Sequence, residues 1–188
     1  LVTGVQTCAL PISCGNLIHN KSVTDKVASM GVKMISSLDG AKAGDVVIVR
    51  SHGEPKEFYD KAESMGIELI DTTCVFVTKI HKLVLSAYKE GRPIIIVGSA
   101  NHQEVKATNG WCHYSATILE NEEEAMEFVK QYDHDKVPLI VCQTTIRREL
   151  LDSILRIFDK ASLKYEIKNT ICNATRDRQE SCAELAAK

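Results

Sequence analysis

The chain has 188 residues, 44% of them apolar, with 25 acidic against 23 basic residues and a formal net charge of −2. That is enough apolar material for a sizeable core, either in one large α/β domain or in two lobes of roughly 100 residues. It excludes a general nucleic-acid or anionic-membrane surface, which would need a clear excess of Lys and Arg. The longest apolar run, "PIIIVG", is strand-sized and far short of the roughly 20 residues of a membrane span, so a soluble protein is expected. Seven cysteines with no CxxC pair do not form a dense secreted framework. They fit a reducing cytosol in which thiolates are kept for a cofactor.

Taken in chain order, the first segment stands apart. "VTGVQTCALPI" back-translates in frame to a sequence resembling a common sequencing-library adapter. Residues 1–13 are therefore expected to be an artefact, with Ser13 at the junction and Cys8 set aside. Beyond it, "VKMIS" and "DVVIVRS" read as strands, and "PKEFYDKAESMG" as a helix with Pro55 at its start and Gly66 at its stop. "IELID" is the next strand, followed by the helix "VFVTKIHKLVLSAYKEG", which Gly91 ends. "RPIIIVG", "VPLIVCQ" and "LKYEIK" continue the strands, while "NEEEAMEFVKQ" and "TTIRRELLDSILRIFDK" supply helices. "RQESCAELAAK" runs to Lys188 in a helical pattern without a stop signal, and the chain is expected to be a fragment at both ends. Near-continuous Val/Ile runs between amphipathic helices predict a doubly wound α/β fold with parallel strands.

In such sheets chemistry gathers at the carboxyl ends of strands. The polar residues sit there, twice over. Residues 67–74, "IELIDTTC", are echoed 98 residues later by 165–172, "YEIKNTIC". His19 comes early in the first unit, Ser51 and His52 lie at a strand exit, and Cys74 closes the unit. The second unit repeats the order with His102 and Glu104 at one exit, Thr144 at the next, and Cys172 at its close. Converging strand ends would carry these side chains to one cavity.

A cysteine between a strand and a helix sits where unsatisfied N–H groups and the helix dipole favour the thiolate. Such a thiolate can be a nucleophile, a redox partner or a metal ligand. Two like-placed copies favour ligation, and the plain alternative is two small buried residues. His19, His52 and His102, with Asn20, Ser51, Asn101 and Thr144 beside them, offer N–H and O–H donors for an anionic group such as a phosphate. Glu104 reads either as a general acid or as a solvated helix-start charge. His81 reads as a packing or hydrogen-bonding histidine. Cys14, Cys112, Cys142 and Cys182 have no repeat partner and default to structural roles. A zinc site in a hydrolase, and a non-catalytic α/β module that binds a phosphorylated metabolite, remain open alternatives at this stage.

The ordered motifs "GNLIHN", "RSHGEPKEFYDKA", "IDTTCVFVTKIHK", "NHQEV", "QTT" and "TICNATRDRQE" resemble the 4-hydroxy-3-methylbut-2-enyl diphosphate reductases, which close the non-mevalonate isoprenoid pathway. The resemblance covers essentially the whole chain after the adapter-like segment. It implies three pseudo-repeated α/β lobes around one 4Fe-4S iron–sulfur cluster with one iron open to the substrate. Residues 14–73 would be the remainder of a first lobe, 74–171 a second, and 172–188 the start of a third. It also implies that Cys74 and Cys172 are cluster ligands, that His19, His52 and His102 line the diphosphate and hydroxyl pocket, that Glu104 relays protons, and that Thr144 positions the substrate. The partners implied are an allylic diphosphate and a low-potential electron donor such as ferredoxin or flavodoxin. Two departures concern residues present here: Val75 stands where Pro is common, and "NHQEV" replaces the usual "GHPEV". Two others concern residues that are not. The family's first cluster cysteine lies upstream of "LIHN", too far for Cys14 to replace it, and its third-lobe Ser and Asn lie past Lys188. The chain alone is expected to be inactive.

Overall fold

The Val- and Ile-rich runs pair in parallel, as strands covered on both faces do. The structure is a computed structural model describing residues 11–15 and 20–187, and it divides into two compact units that meet in sequence between Cys74 and Val75.

The first unit contains β1 (Ile12–Cys14), α1 (Lys21–Ser29), β2 (Lys33–Ile35), a 3-10 turn at Leu38–Gly40, β3 (Val46–Val49), α2 (Lys56–Ser64) and β4 (Glu68–Asp71). Its sheet has the order β2-β1-β3-β4, with every pair parallel. The second unit contains α3 (Val75–Lys89), β5 (Ile94–Val97), α4 (Gln103–Gly110), β6 (Thr117–Leu119), α5 (Glu122–Gln131), β7 (Leu139–Cys142), α6 (Arg148–Lys160), β8 (Glu166–Ile167) and α7 (Asn173–Ala186). Its sheet runs β6-β5-β7-β8, again all parallel. The order second, first, third, fourth thus occurs twice. The repeat seen in two short cysteine segments extends to the whole topology.

Burial in the second unit follows the strand period of two. Ile95, Val97, Ile140 and Cys142 pack on one face with Leu151, Ile154 and Phe158 of α6. Ile94, Ile96, Leu139 and Val141 pack on the other with Ile80, Val84 and Ala87 of α3. Each fully buried Ile or Leu contributes about 1.5–3 kcal/mol, so these two layers hold the sheet rigid under its polar exits. In the first unit Ile12, Cys14, Leu38, Val47, Ala62 and Ile67 form a smaller core, and α1 buries no residue.

Four elements appear that the sequence pattern does not announce. β1 takes in Ile12 and Ser13, from the segment read as adapter-like, and pairs with both β2 and β3. α1 is started by Asn20, whose side chain accepts the Val23 N–H. α4 and β6 fill the stretch between "GSANHQEV" and the acidic helix. The helix expected from Thr144 begins only at Arg148, because the backbone and hydroxyl of Thr144 are engaged elsewhere, as described below. Among the described residues no helix is long and apolar enough to cross a membrane.

Candidate active site

Both cysteine segments fold into the same turn, and the Asp/Asn, the threonine and the cysteine of the repeat each have a bond to account for them. In "DTTC", Asp71 Oδ1 accepts the Thr73 N–H at 2.9 Å; in "NTIC", Asn169 Oδ1 accepts the Ile171 N–H at 3.2 Å. Asp and Asn serve alike here, because either side-chain oxygen closes such a turn two residues on. The threonine that follows ties the turn to the third strand of its sheet. Thr72 Oγ1 donates to the Val49 carbonyl, and Thr170 Oγ1 donates to the Cys142 carbonyl at 2.6 Å while accepting the Cys142 N–H at 2.8 Å. Finally, the cysteine amide donates to the residue two places past that strand: Cys74 N to Ser51 O at 2.9 Å, and Cys172 N to Thr144 O at 2.8 Å. Each sulfur is thereby presented at a carboxyl strand end, directly before a helix. Cys74 is exposed and Cys172 half-buried.

The remaining cysteines behave differently. Cys14, Cys112 and Cys142 are buried in the cores. Burial pushes the Cys142 thiol up to about 12. Burial, reinforced by the Glu54 carboxylate, pushes Cys14 up to about 11, and burial also raises Cys112. Raised thiols are poor nucleophiles and poor ligands, in keeping with the structural role expected for these three. Cys182 is exposed on α7.

The second unit assembles a polar site at its strand exits. Glu104 lies in the first turn of α4 and is 2% exposed, so it is a buried carboxylate and not a solvated helix-start charge. Its two oxygens are taken by one residue: Thr144 donates its amide to Oε1 at 2.6 Å and its hydroxyl to Oε2 at 2.7 Å. His102 caps α4, with Nδ1 accepting the Glu104 N–H at 3.2 Å. With Nδ1 as the acceptor, a neutral ring carries its proton on Nε2, which makes that nitrogen a hydrogen-bond donor. Thr144 is therefore bonded to Glu104 through its amide and hydroxyl and to Cys172 through its carbonyl. Glu104, His102, Thr144 and Cys172 belong to one strand-end cluster.

In the first unit, Arg50 O accepts the Gly53 N–H at 3.0 Å, forming a tight turn that carries half-buried Ser51 and His52 past β3. Gly53 has φ +73°, a conformation that costs a residue with a Cβ. The turn is anchored by an ion pair of Arg50 with buried Glu54 at 2.8 Å. His19 lies outside the described residues. His81 is 2% exposed and its ring stacks on Trp111 at 5.1 Å and 16°, a packing role. Among the described residues no group of three or more His, Cys, Asp or Glu gathers as a metal site. Gln143 opens the "QTT" motif, but the sequence reading gives it no role: its side chain joins the exits of β5 and β7.

Fold and site together define a protein of duplicated parallel α/β units that present cysteines, a buried carboxylate and a histidine at their strand ends. The profile of the LytB protein family matches residues 5–188, and the chain belongs to that family. Among curated relatives, 4-hydroxy-3-methylbut-2-enyl diphosphate reductase of Clostridioides difficile (strain 630) is 40% identical over 174 residues, covering 92% of this chain and 61% of the relative. The protein of the same name from Alkaliphilus oremlandii (strain OhILAs) is 41% identical over 177 residues, covering 92% and 60%. The chain thus spans about three fifths of the length of these relatives. Two solved structures are similar. The E-1-hydroxy-2-methyl-but-2-enyl-4-diphosphate reductase of Plasmodium falciparum has a TM-score of 0.82 at 27% identity, covering 91% of this chain and 54% of that one. An (E)-4-hydroxy-3-methyl-but-2-enyl diphosphate reductase, the terminal enzyme of the non-mevalonate pathway, has a TM-score of 0.75 at 34% identity, covering 93% and 62%.

Proposed function

We propose that this chain serves the reductive dehydroxylation of 4-hydroxy-3-methylbut-2-enyl diphosphate to isopentenyl and dimethylallyl diphosphate. The observation that carries the reading is Thr144, which bonds both the buried Glu104 carboxylate and the Cys172 backbone. A proton-carrying group and a thiol ligand are held on one residue, as a reaction that couples protons to electrons requires. In that reaction a C–O bond breaks and a C–H bond forms. Two electrons and two protons are consumed, and the oxygen leaves as water.

Cys74 and Cys172 are the residues that would hold an iron–sulfur cluster. They suit it, being the two thiols that identical backbone frames present at strand ends, while Cys14, Cys112 and Cys142 are buried and raised. When bound, such a cluster supplies single electrons at low potential and a Lewis-acidic iron for an allylic C–O bond. The other roles fall to the protein. His102 offers its Nε2 proton to the substrate's oxygens, and His19 and His52 act likewise on the diphosphate. Glu104 relays a proton from water to the departing hydroxyl, and the two donors of Thr144 fix its carboxyl group in place for that transfer. A ferredoxin or flavodoxin in a reducing cytoplasm is the kind of donor that such chemistry takes.

The test is anaerobic expression of the complete reading frame. The reading expects brown protein containing iron and sulfide; colourless protein with stoichiometric zinc would refute it. Cys74→Ser and Cys172→Ser should abolish cluster retention, whereas Glu104→Gln should keep the iron and lose turnover by roughly 10²- to 10⁴-fold. Full iron content in either cysteine variant, or unchanged turnover without Glu104, contradicts the assignment.

A further inference from the structure

Two neighbouring residues at one strand exit hold opposite ends of the segment that carries His102 and Glu104. Thr144 takes the Glu104 end, as described. Gln143 takes the other. Its amide donates to the Val97 carbonyl at 2.9 Å, its side-chain Oε1 accepts the Ser99 N–H at 3.0 Å, and its Nε2 donates to Thr145 Oγ1 at 2.7 Å. The residue is 8% exposed, so these polar atoms are largely removed from competing water. Gly98 makes the approach possible: a Cβ there would lie 2.7 Å from Gln143 Cβ and 3.0 Å from both Gln143 Oε1 and Val105 Cγ2.

We propose that Gln143 is a positioning residue, which sets the turn from β5 into α4 and so the placement of His102 and Glu104. It acts through those residues and does not itself meet the substrate. This inference rests on the reductase reading given above. The span concerned is short, from Ser99 to the helix cap at His102, so fixing the Ser99 amide leaves the cap little freedom. The equivalent slot in the first unit supports the assignment. There a Cβ on Gly15 would lie 3.0 Å from Arg50 Nη1, and Arg50 is ion-paired with Glu54. An arginine in the second slot would compete with Thr144 for the Glu104 carboxylate, whereas glutamine holds the turn without charge.

The experiment uses the full-length holoenzyme. Gln143→Met keeps the length of the side chain and removes both of its hydrogen bonds; Gln143→Glu keeps an acceptor for the Ser99 N–H. In the methionine variant kcat should fall by up to about 10²-fold with iron content unchanged. Hydrogen exchange at the Ser99 amide should quicken, and the glutamate variant should recover most of both effects. Normal kcat in Gln143→Met overturns the proposal, as does a fall in kcat with Ser99 exchange unaltered, or a glutamate variant no better than methionine. Should the methionine variant not fold, wild-type exchange decides: slow exchange at Ser99 supports the clamp, and exchange as fast as at an open loop amide overturns it. Failure of the reductase reading would show separately, as wild-type protein without iron or turnover.

Discussion

The two cysteine turns share a frame and differ in what fills it. In both, an Asp or Asn closes the turn, a threonine grips the third strand, and the cysteine amide reaches two residues past that strand. The first turn carries a charged Asp71, to which Tyr59 and Thr73 hydroxyls donate. The second carries a neutral Asn169, and its threonine makes one bond more. At the equivalent exits, counted from the ends of β3 and β7, Ser51 corresponds to Thr144 and Arg50 to Gln143. The frame is what a thiol at a strand end needs from the backbone. The fillings are where the units diverge: the buried carboxylate of the first exit, Glu54, is ion-paired with Arg50, whereas that of the second, Glu104, is held by the amide and hydroxyl of Thr144.

Sulfur reactivity should separate most strongly. Cys142 lies within the strand that Cys172 reaches across to, yet with its thiol at about 12 only roughly 10⁻⁴ of it is thiolate at pH 8. Alkylation of the native chain is expected to label Cys74 readily and leave Cys14, Cys112 and Cys142 unlabelled. Labelling of Cys14 and Cys142 should rise only as pH approaches about 11 and about 12 respectively. Mass spectrometry of the labelled peptides checks this, and rapid labelling of Cys142 at pH 8 would break the distinction between core and strand-end thiols.

The strand-exit glycines come next. Gly98→Ala sets its new methyl against Gln143 Cβ, which is fixed to backbone, and should cost about 3 kcal/mol. Gly15→Ala meets the far end of the flexible Arg50 side chain and chiefly bears the penalty of φ +70°, about 1 kcal/mol. Denaturant midpoints of the two variants measure the gap, and equal losses would mean that the slots are not differently filled. The smallest effect belongs to the threonines. Thr170→Val strands the Cys142 amide as well as losing a donor and should cost about 1–3 kcal/mol, against about 1 kcal/mol for Thr72→Val. Equal costs would remove the second bond from the account.

Much of the fold was legible because hydrophobic runs flanked by glycines are strong signals: "VVIV", "IIIV" and "LIVC" all became strands. What escaped was short or held by distant partners. β1 and β6 have three residues each, too few for a period to show, and α1 offers only the short apolar row of Val23 and Val27 and buries neither. α4 has eight residues and hides Glu104 and Thr108 among its buried positions, which blurs its pattern. At the site, the paired cysteines could be found because a repeat is visible in one dimension. The grip of Thr144 on Glu104 spans 40 residues, and the hold of Gln143 on Ser99 spans 44; neither leaves a spacing to read. They exist only because parallel β5 and β7 bring their exits together.

Each sulfur-bearing turn is closed by bonds to its own sheet, Cys74 to Ser51 and Cys172 to Thr144. The backbone around both thiols is therefore set by ordinary protein contacts before any inorganic component arrives. On the proposed function, maturation would then amount to inserting iron and sulfide into an already folded apoprotein, unlike small zinc domains, whose folding waits on the metal.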